Sequence, residues 1–403
     1  MMVKQALFFP QAIYGSTTLD PERVPRVLIS PHRYIQGQGT LDQLGKYISI
    51  IPSERPAVLL SVGGEKRFGE QIGNSLKAQV ISYSVEIFRG ECSENEVKRI
   101  VTHLRNEAPD TDAIIAVGGG KCMDAGKAAA FRLHVPIVTC PTIASTDAPC
   151  SAVSVMYSDE GVQVGPEFFP NSPALVVVDT RIIIKAPIRQ LVAGMGDALA
   201  TYYETRTCFQ NLQARSIVGA RPTITAMAIS ELCAKTLFEN GLNAMDAMLR
   251  QEPNEAFERI VEANSLLSGI GFESGGLAAA HAVAAGFTEI PVLHRDFYHG
   301  ELVGIGILTH LLLEGKADDA KEVAEFMAGI GLPIHAGQLS LDMEQNAPSI
   351  KKAMEGAVSS NLTEAEPFEV TPEKLFAAFV EADLLGKRVT QALGDAAYRR
   401  LHP

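Results

Sequence analysis

The stretch Ala113-Ile-Ile-Ala-Val-Gly-Gly-Gly-Lys-Cys-Met-Asp-Ala-Gly-Lys127 decides the fold. Five apolar residues run into three glycines, and beyond Lys121 the apolar spacing becomes that of a helix through Leu133. A strand that passes through a glycine turn straight into a helix opens a βαβ unit. With no Cβ in the turn, backbone N–H groups and the helix N-terminus can approach an anion closely. Lys121 adds a cation, and Asp124 sits in the first helical turn, where a carboxylate suits the helix dipole. The run is neither a G-x-G-x-x-G fingerprint nor a Walker loop. Alone it points to a phosphate-bearing ligand, and a plain strand-to-helix turn would look the same.

Working outward, Ala57–Val62 reads as a buried strand ending in Gly63-Gly64, 66–77 as a helix and Gln79–Phe88 as a second strand. Ser93 with Glu96 three residues on forms a capping box that opens a helix through Leu104. Downstream, Pro136–Cys140 is a fourth strand, with more at Ser154–Tyr157 and Ala174–Asp179. Strands alternating with helices predict a parallel sheet covered on both faces. The segment Pro141–Cys150 leaves the carboxyl end of the fourth strand, where open parallel sheets bind ligands. Thr142, Ser145, Thr146 and Asp147 place three hydroxyls and a carboxylate there, although a polar turn needs no ligand to explain it.

After Pro187 the pattern turns helical, with apolar periodicity at 217–239, 255–270, 275–286, 301–314 and 373–384. The chain thus reads as a polar extension over 1–24, an α/β parallel-sheet domain over 25–186 and an all-helical domain over 187–403. Three polar residues stand out in the helical part. Asp197 reads as the start of a helix after the glycine-rich run Gly194-Met-Gly196, His281 lies among small residues, and His299 precedes Gly300-Glu301. One carboxylate and two imidazoles make a three-ligand divalent site with an open position. Their dispersed spacing does not compel it: each His also suits an ordinary core or surface position, and Asp197 an N-cap.

Composition narrows the class. At 403 residues, 46 % hydrophobic and 20 % charged, the chain is of globular type and long enough for two domains. A net charge of -12 with no basic patch argues against nucleic acid. Six cysteines without a C-x-x-C pair read as reduced thiols of a cytoplasmic protein. No run reaches the length of a membrane span, and the apolar run Ala6–Phe9, cut off by Pro10, is too short for a secretory leader.

The segments Tyr34-Ile-Gln-Gly37, Gly90-Glu-Cys-Ser93, Gly118-Gly-Gly-Lys121, Pro141–Cys150, Gly194–Ala200, Gly271–Ala278 and His299-Gly-Glu301 run in order over nearly the whole chain. Together they resemble the glycerol dehydrogenase branch of the iron-containing alcohol dehydrogenase superfamily. The resemblance implies a dehydroquinate-synthase-like two-domain architecture. It implies that Gly118, Gly119, Gly120 and Lys121 hold a nicotinamide-cofactor pyrophosphate, with Asp124, Thr142 and Ser145 alongside and Ser151 and Tyr157 near the nicotinamide. Asp197, His281 and His299 would bind the metal, and Asp147 the substrate hydroxyls. Iron-dependent members carry a fourth ligand, a His, four residues after the Asp. Here that position is Thr201, which favours zinc over iron or manganese.

The implied reaction interconverts a polyol and its ketone, glycerol and NAD giving dihydroxyacetone and NADH; His294, five residues before His299, reads as a plain exposed loop histidine or as a proton relay. NAD-using members carry an Asp near Gly64; its absence here, with Lys66 and Arg67 following, leaves NADP open, while Glu65 offers a replacement acceptor. A small diol or 2-hydroxy acid is an alternative substrate. A dehydroquinate-synthase-like lyase is the alternative of another class, but the segments around Asp147, Asp197 and His281 lack the cations its phosphorylated substrate needs. The resemblance also implies a homo-oligomer, an octamer in the family.

Overall fold

A computed structural model describes residues 7–15 and 20–402; the N-terminal run from Ala6 begins outside them. The chain divides into two compact units. One comprises Ile29–Ala186 with 7–10, and the other Pro187 onward with the described part of 11–28. That early segment pairs with the helical unit through Arg221, whose N–H donates to Pro25 O and whose carbonyl accepts from Val27 N–H.

In the first unit, β1 (Tyr34–Gly37), β2 (Pro56–Ser61), β3 (Ser84–Phe88), β4 (Ala113–Gly118), β5 (Ile137–Pro141) and β8 (Leu175–Asp179) form a parallel sheet in the order β1-β8-β5-β4-β2-β3. β6 (Val153–Tyr157) and β7 (Gln163–Phe168) make a separate antiparallel hairpin. The strand runs are apolar without alternation because both faces are covered. Leu59, Ile114 and Ala116 pack on one side, and Leu60, Ile115 and Val117 on the other. Register pairs Leu60 with Val117 and Gly118 with Pro141. The β2 turn, the glycine turn and the Pro141–Cys150 segment therefore leave the sheet at one edge, the carboxyl one.

Two strands escape the sequence reading. β1 is a four-residue edge strand, and β7 is an exposed strand with Pro166 and no apolar alternation. The six cysteines are all buried and unbridged.

The second unit is helical among its described residues. Its main elements are Ile188–Gln210, Ile224–Arg250, Glu255–Glu262, Ser268–Gly275, Ala279–Phe287, His299–Leu313, Ala317–Ile330, Ala347–Ser359 and Pro372–Leu393. Asp197 is a correction: it lies in the middle of Ile188–Gln210, not at a helix start. Gly194 and Gly196 make no turn; they let helices touch. A Cβ on Gly196 would lie 2.2 Å from Gly300 O, so the Asp197 helix and the His299 helix cross backbone to backbone. Among the described residues no helix is long and apolar enough to cross a membrane.

Candidate functional site

The glycine turn closes β4 onto the helix Gly120–Leu133. Gly119 is its N-cap in extended conformation, and no side chain caps the helix. None of the three glycines adopts a positive φ, so close approach explains them: a Cβ on Gly118 would meet Cys122 Cβ at 2.8 Å. Thr142 is anchored beside the turn by its N–H to Gly118 O, 3.0 Å. Ser145 and Asp147 follow, both partly buried.

Other residues of this region stand differently from expectation. Lys121 is held by both Glu91 oxygens, at 2.7 and 2.8 Å, and its Nζ lies 4.5 Å from the Tyr157 ring centre. Tyr157 is thus near the turn, with burial raising its phenol pKa. Asp124 is buried, pairs with Lys127 Nζ at 2.8 Å and accepts from Val155 N–H, so it pins the hairpin to the helix. Ser151 is likewise buried, with its hydroxyl 3.3 Å from Lys127 Nζ.

At the β2 edge, Gly64 is buried and its N–H donates to the Ser61 hydroxyl. A side chain there would point inward, its Cβ 3.2 Å from Ser61 Oγ. The exposed position is Gly63, and Arg67 folds back over it, its Nε donating to Gly63 O at 3.1 Å.

In the helical unit three dispersed residues come together: one ligand atom each from Asp197, His281 and His299 lies within 4.8 Å of the others. Asp197 Oδ1 is 3.4 Å from His281 Nε2 and 3.5 Å from His299 Nε2. Hydrogen bonds would draw such atoms to about 2.9 Å. Ligands sharing a tetrahedral ion at about 2.0–2.1 Å lie about 3.3–3.4 Å apart. The donor set and its spacing fit a divalent ion. Asp197 and His281 are buried, whereas His299 is 48 % exposed, which leaves an open side. Thr201, one turn after Asp197, is fully buried and 3.1 Å from the Ser268 hydroxyl, turned to packing. His294 is exposed on a separate short helix.

The supporting residues were not foreseen. Glu204, two turns after Asp197 on the same helix, approaches His281 Nδ1 at 2.5 Å and accepts from the N–H groups of Ala278 and His281. Burial alone would lower the His281 pKa, yet Glu204 and Asp197 hold it well above the ordinary value. A carboxylate on the second nitrogen fixes the ring and leaves Nε2 directed at the trio. The seven-residue spacing from Asp197 to Glu204 was the available signal. Glu301 anchors the start of the other helix: it accepts from Tyr298 N–H, Arg189 Nε and His402 Nε2 at 2.7–2.8 Å. Burial would raise its pKa, but His402 and Arg189 hold it low.

The family model for iron-containing alcohol dehydrogenase matches residues 31–180. A glycerol dehydrogenase of Escherichia coli is 42 % identical over 378 residues, 91 % of this chain and 99 % of that one. A glycolaldehyde reductase of Halobacterium salinarum is 36 % identical, with coverage of 90 % and 98 %. The structure of glycerol dehydrogenase from Schizosaccharomyces pombe superposes with a TM-score of 0.85 at 32 % identity, covering 92 % of this chain and 93 % of that one. The chain belongs to the iron-containing alcohol dehydrogenase family, among its glycerol dehydrogenases, and is an oxidoreductase that works with a metal and a nicotinamide cofactor.

Proposed function

We propose that this enzyme interconverts glycerol and dihydroxyacetone, using zinc and NAD, as a cytoplasmic homo-oligomer. The observation that carries the reading is the convergence of Asp197, His281 and His299 at ion-ligand spacing. Three protein ligands, with neutral Thr201 where a fourth would stand, favour zinc with an open position. When bound, the ion supplies a Lewis acid that eases loss of a hydroxyl proton, and the nicotinamide supplies the hydride acceptor.

In this reading the helical unit, 187–403, holds the metal, and the sheet unit holds the cofactor. Gly118, Gly119 and Gly120 would hold the pyrophosphate through backbone N–H groups at a helix N-terminus without a side-chain cap. Thr142 and Ser145 would flank it, Tyr157 would serve its nicotinamide end, and Asp147 would accept from the substrate hydroxyls. Lys121 serves mainly to hold Glu91 and Tyr157, since a phosphate would have to displace Glu91. Glu204 keeps His281 oriented throughout.

The test is a panel of polyols and both nicotinamides, followed by cofactor absorbance, with and without chelator and restored zinc. Glycerol oxidation lost on chelation and recovered with zinc supports the proposal. Activity confined to other substrates would redirect it to another small diol or a 2-hydroxy acid. Mass in solution reads the assembly. Glu204→Gln keeps the shape of the support but removes its charge, and zinc affinity is expected to fall about 10- to 100-fold. Competition against a chromophoric chelator measures it, and an unchanged affinity would count against the trio as the metal site.

A second reading of the cofactor has its own observation. The β2 edge offers exposed Gly63 and the Arg67 guanidinium where a ribose-binding carboxylate would exclude a 2′-phosphate. NADPH outrunning NADH at equal concentration would select NADP. In that case Gly63→Asp is expected to return the preference toward NADH.

A further inference from the structure

A second group of buried ionisable side chains lies in the helical unit outside the trio. His310, Glu314 and Glu366 offer ligand-type atoms within 4.8 Å of one another. His310 is fully buried on the His299 helix. Its Nε2 is 3.3 Å from Glu314 Oε2, and its Nδ1 is 3.4 Å from Glu366 Oε1. The two nitrogens point to opposite sides of the ring, so one ion cannot use both. Lys316 Nζ, 2.8 Å from Glu314 Oε2, and the nearby Arg206 would repel a divalent cation. A ring with a carboxylate near each nitrogen is the setting of an imidazolium.

The far side of Glu366 leads back to the trio. Glu366 Oε1 faces the Ala279 N–H at 3.4 Å, at the start of the helix that carries His281. Glu204 takes the neighbouring N–H groups of Ala278 and His281. Two buried carboxylates thus sit at one helix N-terminus, where the dipole favours negative charge but their mutual repulsion does not. The Glu366 backbone is pinned as well, since Asn211 Nδ2, at the C-terminal end of the Asp197 helix, donates to Glu366 O at 3.2 Å.

We propose that His310 and Glu366 are a positioning pair for the metal site: His310 supplies the buried positive charge that keeps Glu366 ionised against the N-terminus of the His281 helix. Burial, with Glu314 adding to it, pushes the Glu366 pKa up, and His310 is the foremost group pulling it back down. Burial lowers the His310 pKa, but Glu366 and Glu314 together raise it above the ordinary value. Burial would raise Glu314, yet His310, Lys316 and Thr207 bring it to about 2. His310 Nδ1 has no hydrogen-bond partner among the described residues, so its 3.4 Å approach to Glu366 Oε1 is a contact of charge.

The inference rests on Asp197, His281 and His299 being the metal ligands, and the experiment separates the two. Full-length wild type, His310→Gln, Glu366→Gln and the double variant are loaded with Co²⁺ and compared by affinity, ions bound per chain and visible spectrum. His310→Gln strands an uncompensated Glu366, and Co²⁺ affinity is expected to fall about 10- to 100-fold with an altered spectrum. Adding Glu366→Gln removes the stranded charge and leaves an amide that still accepts the Ala279 N–H, so the double variant recovers most of the loss. A general packing defect would make the two losses add.

If His310→Gln does not fold, a double variant that folds and binds supports the pair, and one that still fails to fold overturns it. Unchanged binding in His310→Gln, or additive losses, overturns it as well. So does a second Co²⁺ per chain that disappears in His310→Gln, which would make the cluster a metal site. A wild-type protein that binds no Co²⁺ would instead sink the assignment of the trio itself.

Discussion

Asp197→Ala is expected to abolish metal binding and to lower turnover by at least about 10³-fold, since a Lewis acid contributes several kcal/mol to such a step and each 1.4 kcal/mol is tenfold. Its carboxylate is the common partner: Oδ1 stands 3.4 and 3.5 Å from the two imidazoles, and without it the group keeps only its two ring nitrogens. Excess zinc should not restore activity, because two neutral nitrogens cannot match the charge neutralisation that the carboxylate gives. Equilibrium dialysis for bound metal, with unfolding curves to show that the variant is folded, makes the measurement. Full activity in metal-free protein would overturn the mechanism.

How much of this was legible in the sequence depends on the range of the interaction. The glycine turn, both flanking strands and the helix after it were readable because a strand, three glycines and a helix are adjacent in the chain, and β4 and its helix fall within a residue of expectation. The trio was named by residue type, yet nothing local brings positions 197, 281 and 299 together; helix crossing does. Glu204 was half legible, its seven-residue offset placing it on the Asp197 face. Glu301 with Arg189 was not, since 112 residues separate them. For Asp124, the pairing with Lys127 three residues on could be seen, but not its burial beneath the hairpin. The common cause is that period and turn chemistry are local, whereas burial and partners are tertiary.

The glycines of the helical unit show the same limit and yield the second large effect. A glycine-rich run reads locally as a turn, but here two helices touch through it. A Cβ on Gly300 would lie 1.8 Å from Ala193 O and 3.0 Å from Asp197 N, distances that no rotamer change relieves because the obstacles are backbone. Gly300→Ala should gain up to about 1 kcal/mol in helix propensity. It must also push the two helices apart, a cost expected to reach about 3 kcal/mol or more. The displacement acts where it matters most, since His299 is the residue before Gly300 and Asp197 the residue after Gly196. Gly300→Ala is therefore expected both to unfold at clearly lower denaturant and, where folded, to bind metal poorly. Gly69→Ala is the control: its Cβ would meet only Glu65 Cγ, at 3.4 Å, within the helix Val62–Lys77. That change should hold or raise stability and leave metal binding intact. A Gly300→Ala protein matching wild type in unfolding midpoint and Co²⁺ spectrum would mean that the ligand-bearing helices do not meet at Gly196 and Gly300.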